Sequence, residues 1–472
     1  VDGEGTVVAR RRLHASPMAG DAREFDACHT LETVDRLLRD LLSTAPRCHI
    51  VAISSSCQRA TIVPVDGDGR PVGPALSWED HRAAGGATQL AEALGDCRFT
   101  TITGLPPSFL WSAGKILWLR EARPDIWRAA ARVALLNDLV LRHLGAEEVT
   151  TDHSNASLTG LLDLAALDWS APVLDAAGLT RDRLPALVTP GTVVGTVSAA
   201  AARATGLPRG TPLVAGGGDQ QCAALGLGTL EPGEASLCLG TAAVVSCPVD
   251  RPIVDVAGVF CTAHAAPGRW VLEGIHNSFG SALAWTRGLL EAGDEAGLEA
   301  LARAGDSGGV VFVPHLAGVG TPDHRGAARG ALIGLTLGHD RGAVARAVYE
   351  GIACETRRIL DGMEAGGPIR RLVLAGGVST GDMIPRLLAE LTGRTLTVQT
   401  VSEASILGAA DLAWVGAGRF PDAATAARSL ATTAGVRVLE PTSPSAGAAR
   451  FRQYLDVVET LLAAGWNREE DR

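Results

Sequence analysis

The chain has 472 residues, 46% of them apolar and 20% charged, with a formal net charge of −10. This length exceeds the about 250–300 residues at which one hydrophobic core stops growing, so at least two domains with a cleft between them are expected. The acidic balance excludes a general nucleic-acid surface, which needs a basic field. The nine cysteines include no C-x-x-C pair, which excludes a zinc ribbon and agrees with a reducing cytoplasm. No run of about 18 uncharged apolar residues marks a membrane span, so a cytoplasmic protein without membrane attachment is expected.

Along the chain, short β-like runs at 7–10, 49–54 and 61–65 alternate with helical patterns at 31–42, 116–122 and 127–134. That mixture indicates an α/β fold. An apolar run from Leu213 then ends in three glycines and Asp219, and 222–227 is apolar enough to open a buried helix. Glu231-Pro232-Gly233-Glu234 interrupts the pattern and a hairpin begins at Ala235. The expected domains are therefore 1–230 and 231–440, with 441–472 as a helix and tail. In the second half, 310–314 reads as a strand, 343–360 as a long amphipathic helix, and 371–374 as a strand feeding the Gly376-Gly377 turn. Helical spacing follows at 383–391, a strand-to-helix step at 396–401 and 404–417, and a closing helix at 448–464 expected to pack on the outside.

Three glycine-bearing turns stand out. In Gly216-Gly217-Gly218-Asp219 the glycines are expected to adopt positive φ and let backbone approach a ligand, with Asp219 pointing into the cleft. The alternative for Asp219 is a helix N-cap, which the same geometry favours. Gly240-Thr241 is expected in a hairpin turn whose amides and hydroxyl suit a small anion, against the alternative of an ordinary two-residue turn. Gly376-Gly377 is the third. Three such turns around one cleft point to phosphate binding. No G-x-x-x-x-G-K-[ST] sequence is present, so a P-loop is excluded, and protein-kinase signatures are absent.

With these residues assembled, the chain resembles the FGGY family of carbohydrate kinases over nearly its whole length. The resemblance is carried by Gly216 to Gln221, by Phe312-Val313-Pro314-His315 with Thr321-Pro322, by Arg329 to Thr336 with Glu350-Gly351, and by Trp78 to Arg82 and Lys115 to Leu119. It implies two actin-like, ribonuclease-H-like domains closing around ATP, Mg²⁺ and a small sugar or polyol, a ketopentose such as xylulose foremost. It implies that Asp219 is the catalytic base and a metal ligand, and that Gly240, Thr241, Gly280, Gly376 and Gly377 contact the nucleotide. Gln58, Arg59, Trp78, Asp80, Arg82 and Asn277 match segments lining the sugar pocket. Xylulokinases commonly carry Met-His after the glutamine and glycerol kinases Arg-Glu, whereas this chain has Arg59-Ala60. Family members open with a strand ending in a D-x-G-T turn that serves metal and phosphate. The resemblance therefore implies roughly 10 to 20 residues upstream of Val1, enough for such a strand and turn. A catalytically silent nucleotide- or sugar-binding relative is the competing reading. An actin-like ATPase is third, since it would lack Trp78 to Arg82. A homodimer is expected only because such assemblies are the commonest.

Overall fold

The computed structural model describes residues 1–13, 23–45, 48–254, 256, 258–376, 381–399, 403–431 and 436–464. In the first half, strand Pro212–Gly218 lies at the centre of a three-stranded sheet. It runs parallel to Ile53–Cys57, with Leu213 opposite Ile53 and Gly218 opposite Cys57, and antiparallel to Val193–Thr196. Among the described residues Ile53–Cys57 pairs on that side only. A second sheet joins Glu24–Phe25, Ala75–Leu76, Ile62–Val65 and Arg132–Leu135. Its Ile62, Leu76, Val133 and Leu135 enter an apolar core with Phe99, Trp111 and Ile116.

The second half is built on one seven-stranded sheet, ordered Phe260–Ala263, Trp270–His276, Ala243–Val249, Glu234–Leu239, Arg371–Ala375, Thr395–Gln399, Val436–Leu439. Its middle strands are apolar on both faces, as a sheet covered on both sides requires. The 23-residue helix Arg341–Met363 buries Val348, Ile352 and Ile359 in the same core as Leu237, Val245 and Leu372. On the other side, Val373 and Ala375 pack with Ala223 and Leu227, which follow the first-half strand Pro212–Gly218, and with Ala404. The helix Asp219–Gly226 therefore sits between the two halves.

That helix crosses Ala404–Gly416 at very short range. A Cβ on Gly226 would come within 2.3 Å of the Ala404 carbonyl, and one on Gly408 within 1.9 Å of the Cys222 carbonyl. Only glycine at both positions allows the two backbones to touch.

The described elements follow the sequence pattern with four differences. The β-like run at 49–54 gives the strand Ile53–Cys57, so 49–52 lie before it. Residues 7–10 form no strand, and Val7 and Val8 are 42% and 46% exposed; a β-like run forms a strand only where a partner edge is available, and none pairs with it among the described residues. The helical pattern at 127–134 divides into the helix Pro124–Ala129 and the strand Arg132–Leu135. There Val133 and Ala134 pair with Pro64 and Val63, so tertiary pairing overrides a short apolar run that is ambiguous by period. The closing helix, Pro444–Ala463, is an integral layer, with Phe451, Tyr454 and Val458 buried in the second-half core.

Candidate active site

Strand Pro212–Gly218 delivers Asp219 to its place. The three glycines do not take positive φ, contrary to expectation. They are required by close approach within the protein: a Cβ on Gly216 would lie 1.6 Å from the Ser55 carbonyl, and one on Gly218 would lie 2.3 Å from Cδ of Arg59. Asp219 is the first residue of helix Asp219–Gly226, Gly218 holds the cap position, and no side chain makes a cap hydrogen bond. The N-cap alternative is therefore not realised. Its carboxylate instead accepts from Gln220 Nε2 at 3.3 Å and lines a cavity of about 250 Å³ with Cys238, Gly240, Gly376 and Ser405. Burial pushes the Asp219 carboxyl above its ordinary value, and the nearby Arg59 guanidinium offsets only part of this. A carboxylate so placed is a stronger proton acceptor than one in water.

Gly240 and Thr241 form the turn between Glu234–Leu239 and Ala243–Val249. Their carbonyls accept from the amides of Gly280 and Ser281, each at 3.1 Å, which seats the turn on the start of helix Gly280–Leu289. A Cβ on Gly240 would meet only the Ala242 carbonyl at 3.4 Å, so the protein itself leaves this space open. A second cavity, of about 600 Å³, is lined by Gly240, Gly280, Arg287, Glu299 and Tyr349. The two cavities share Leu239 and Gly240. Gly376 has φ of 115°, and a Cβ there would lie 2.2 Å from the Leu239 carbonyl, so its glycine answers to the neighbouring strand as well as to the cavity it lines. Gly377 lies outside the described residues.

The acceptor-side candidates are distributed differently, and none of the six lines either cavity. Gln58 Nε2 donates to Thr61 Oγ1 at 3.0 Å. Arg59 makes a buried two-point ion pair with Glu273. Trp78 is 40% exposed. Asp80 and Arg82 hold each other, Arg82 Nη2 reaching Asp80 at 2.6 Å and Glu24 at 2.7 Å while its guanidinium lies 4.1 Å from the Trp118 ring centre. Burial pushes Asp80 up, and the hydrogen bonds from Arg82 more than reverse this. Asn277 donates to the Ala317 carbonyl at 3.3 Å. Lys115, in another of the quoted blocks, is buried and donates to the carbonyls of Phe109, Leu110 and Trp111, and burial takes its amine down to about 7.

Sequence reading missed Glu273, Gln221 and Thr262, which meet beside Asp219. Gln221 Nε2 donates to Glu273 Oε1 at 2.8 Å and to Thr262 Oγ1 at 3.0 Å, and the Thr262 hydroxyl donates to Glu273. The available signal was a glutamate in the middle of the otherwise apolar run of strand Trp270–His276.

Among the described residues no group of three or more His, Cys, Asp or Glu could hold a metal by itself. Mg²⁺ in phosphoryl-transfer sites is held by one or two carboxylates together with phosphate oxygens. Asp219, the one carboxylate among the described residues lining the smaller cavity, fits that donor set. No helix of the described residues is long and apolar enough to cross a membrane.

Comparison with known proteins agrees with this geometry. Residues 1–226 match the N-terminal domain of the FGGY family of carbohydrate kinases, and residues 235–417 match its C-terminal domain. The chain is 32% identical over 395 residues to the xylulose kinase of Escherichia coli strain K12, covering 82% of this chain and 80% of that one. It is 33% identical over 443 residues to the glycerol kinase of Methylorubrum extorquens strain PA1, covering 88% and 86%. The crystal structure of xylulose kinase from Rhodospirillum rubrum superposes with a TM-score of 0.85 at 26% identity, covering 96% of this chain and 93% of that one. With both halves matched in order and the uncapped aspartate at their junction, the chain belongs to the FGGY family of carbohydrate kinases.

Proposed function

We propose that this kinase transfers the γ-phosphoryl group of ATP to a hydroxyl of a ketopentose such as xylulose, with Asp219 as the base. The observation that carries the reading is the uncapped Asp219 in a cavity that shares the lining residues Leu239 and Gly240 with a second, larger one. A nucleotide placed along the two cavities has its adenosine against Gly280 and Tyr349 and its phosphates at the Gly240-Thr241 turn. The turn rests on the start of a ten-residue helix, whose end favours negative charge. As the acceptor oxygen bonds to the γ-phosphorus, the bond from that phosphorus to ADP breaks and the hydroxyl proton passes to Asp219. General-base assistance of this kind is worth about 10²–10⁴ in rate. Mg²⁺, when bound, spreads the charge developing on the phosphoryl oxygens, and Asp219 is the residue that would hold it.

Ala60, which is buried, departs from the glutamate of glycerol kinases and equally from the histidine of xylulokinases, so support for a ketopentose comes from the likeness to the Escherichia coli and Rhodospirillum rubrum xylulose kinases. The greater span of the likeness to the Methylorubrum glycerol kinase keeps glycerol as the second reading. Coupled ADP release with xylulose, gluconate and glycerol, each varied at saturating ATP, tests the assignment. Release with xylulose at the highest kcat/KM is expected. A higher kcat/KM with glycerol replaces the first reading by the second, and binding of ATP without release for any acceptor points to a silent relative.

A further inference from the structure

Arg59 and Glu273 join the two family domains through one buried ion pair. Arg59 follows strand Ile53–Cys57, and Glu273 lies in the middle of strand Trp270–His276. The guanidinium donates from Nη1 to Oε1 at 2.9 Å and from Nη2 to Oε2 at 2.5 Å, and the two side chains are 6% and 1% exposed. Taking both charges out of water is expensive unless the geometry is good and the remaining polar atoms are engaged. Here Glu273 Oε1 also accepts from Gln221, on the segment that carries Asp219, and from Thr262, while Arg59 Nε is left without a partner among the described residues.

That segment is held on both sides of Asp219. Before it, the Arg59 stem fills the space beside Gly218, where a Cβ would lie 2.3 Å from Cδ. After it, Gln221 donates to Glu273 Oε1 at 2.8 Å. Asp219 lies between these two attachments and has no cap bond of its own. Ala60, beside Arg59, is buried with φ of 58°, a conformation that residues with a Cβ seldom adopt and that persists only where the surroundings fix it.

We propose that Glu273 is a positioning residue for Asp219: by holding Arg59 and Gln221 it aims the carboxylate into the smaller cavity. The proposal rests on the reading of Asp219 as the base. The titratable groups facing Asp219 are Arg59 and Glu273 across the domain junction, Cys57 at the end of its strand, Cys222 on the same helix and Cys238 on the opposite strand. Asp152 adds a further negative charge beside Arg59. Burial pushes all three thiols up, Cys238 to about 12, so they stay neutral. Removing the Glu273 carboxylate releases both the Arg59 stem beside Gly218 and the Gln221 amide, the two attachments that flank Asp219.

The test measures ADP release for the full chain with xylulose and with glycerol, comparing wild type, Glu273→Gln, Glu273→Asp and Glu355→Gln, with thermal midpoints alongside. Glu273→Gln should lower kcat at least tenfold with KM for ATP within twofold. Glu273→Asp keeps the charge but shortens the reach, so part of kcat should return. Glu355→Gln, in the buried pair of the second half, should lower the midpoint while kcat per folded enzyme stays within twofold. An unchanged kcat per folded enzyme in Glu273→Gln, or a loss of kcat in Glu355→Gln as large as that in Glu273→Gln, overturns the proposal. Absence of acceptor-dependent release from the wild type overturns the kinase reading and this inference together.

Discussion

Two buried arginine–carboxylate pairs invite comparison, one at the domain junction and one inside the C-terminal domain. In the second, Arg358 donates to Glu355 from Nε at 2.9 Å and from Nη2 at 2.8 Å, and its Nη1 reaches Asp323 at 2.6 Å. Tyr454 donates to Glu355 at 2.7 Å, and the His315 ring lies 3.3 Å from it. Every nitrogen of that guanidinium has a partner. Burial pushes Glu355 up, but His315 and Arg358 together hold it far below the usual carboxylate range. The junction pair is less complete: Arg59 Nε and Gln221 Oε1 are buried without a hydrogen-bond partner. A saturated network locks a core, whereas one with spare donors and acceptors beside a cavity is built around something else. On this contrast, variants of the Glu355 network are expected to change stability and variants of the Glu273 network to change turnover.

The strongest way to break the contrast is to remove Asp219. Asp219→Asn should lower phosphoryl transfer by about 10²–10⁴ while ATP affinity by calorimetry stays nearly the same. On that background Glu273→Gln should add little further loss, since it acts through the missing base. In the wild type the rate should fall as pH drops through the raised value of Asp219, because the protonated acid cannot accept the hydroxyl proton; the acid limb is therefore expected above the ordinary aspartate range. Next in size, Glu355→Ala should cost up to about 3–5 kcal/mol by leaving Arg358 with Asp323 alone and Tyr454 without its acceptor, read from urea unfolding, with kcat per folded molecule kept.

Two glycines sharpen the same comparison. Gly351 lies in helix Arg341–Met363, and a Cβ there would come within 2.1 Å of the Phe312 carbonyl. Gly351→Ala should therefore cost about 1–3 kcal/mol from overpacking, measured by the shift in urea midpoint. Gly240→Ala has only the 3.4 Å contact with the Ala242 carbonyl, so stability should stay within about 0.5 kcal/mol while KM for ATP rises. A stability loss at Gly240 as large as that at Gly351 would remove the case for an open phosphate turn.

The parts of the site legible in the sequence are those whose logic is local. Asp219 after three glycines, and Gly240-Thr241 between two apolar runs, are turns that each announce themselves within ten residues. The reason for the glycines was not local, because the atoms they clear belong to Ser55 and Arg59 on a strand far away in the chain. Glu273 was invisible for the same cause, its partner Arg59 being 214 positions distant. Asp80 and Arg82 were legible as a motif. Their preoccupation with each other depends on Glu24 and the Trp118 ring, which no spacing reveals. The strand Arg132–Leu135 was missed because three apolar residues after an arginine carry no period of their own until Ile62–Val65 pairs with them.

The crossing of helices Asp219–Gly226 and Ala404–Gly416 has a mechanical consequence. Where main chain meets main chain at Gly226 and Gly408, no side chain lies between the two axes to deform or change rotamer. The two helices can therefore shift only together, since sliding one past the other would drive backbone into backbone. Helix Ala404–Gly416 also rests on the strand that leads to Asp219, where a Cβ on Gly416 would come within 2.4 Å of Val214, so the strand, the helix bearing Asp219 and the crossing helix form one interlocked piece at the junction.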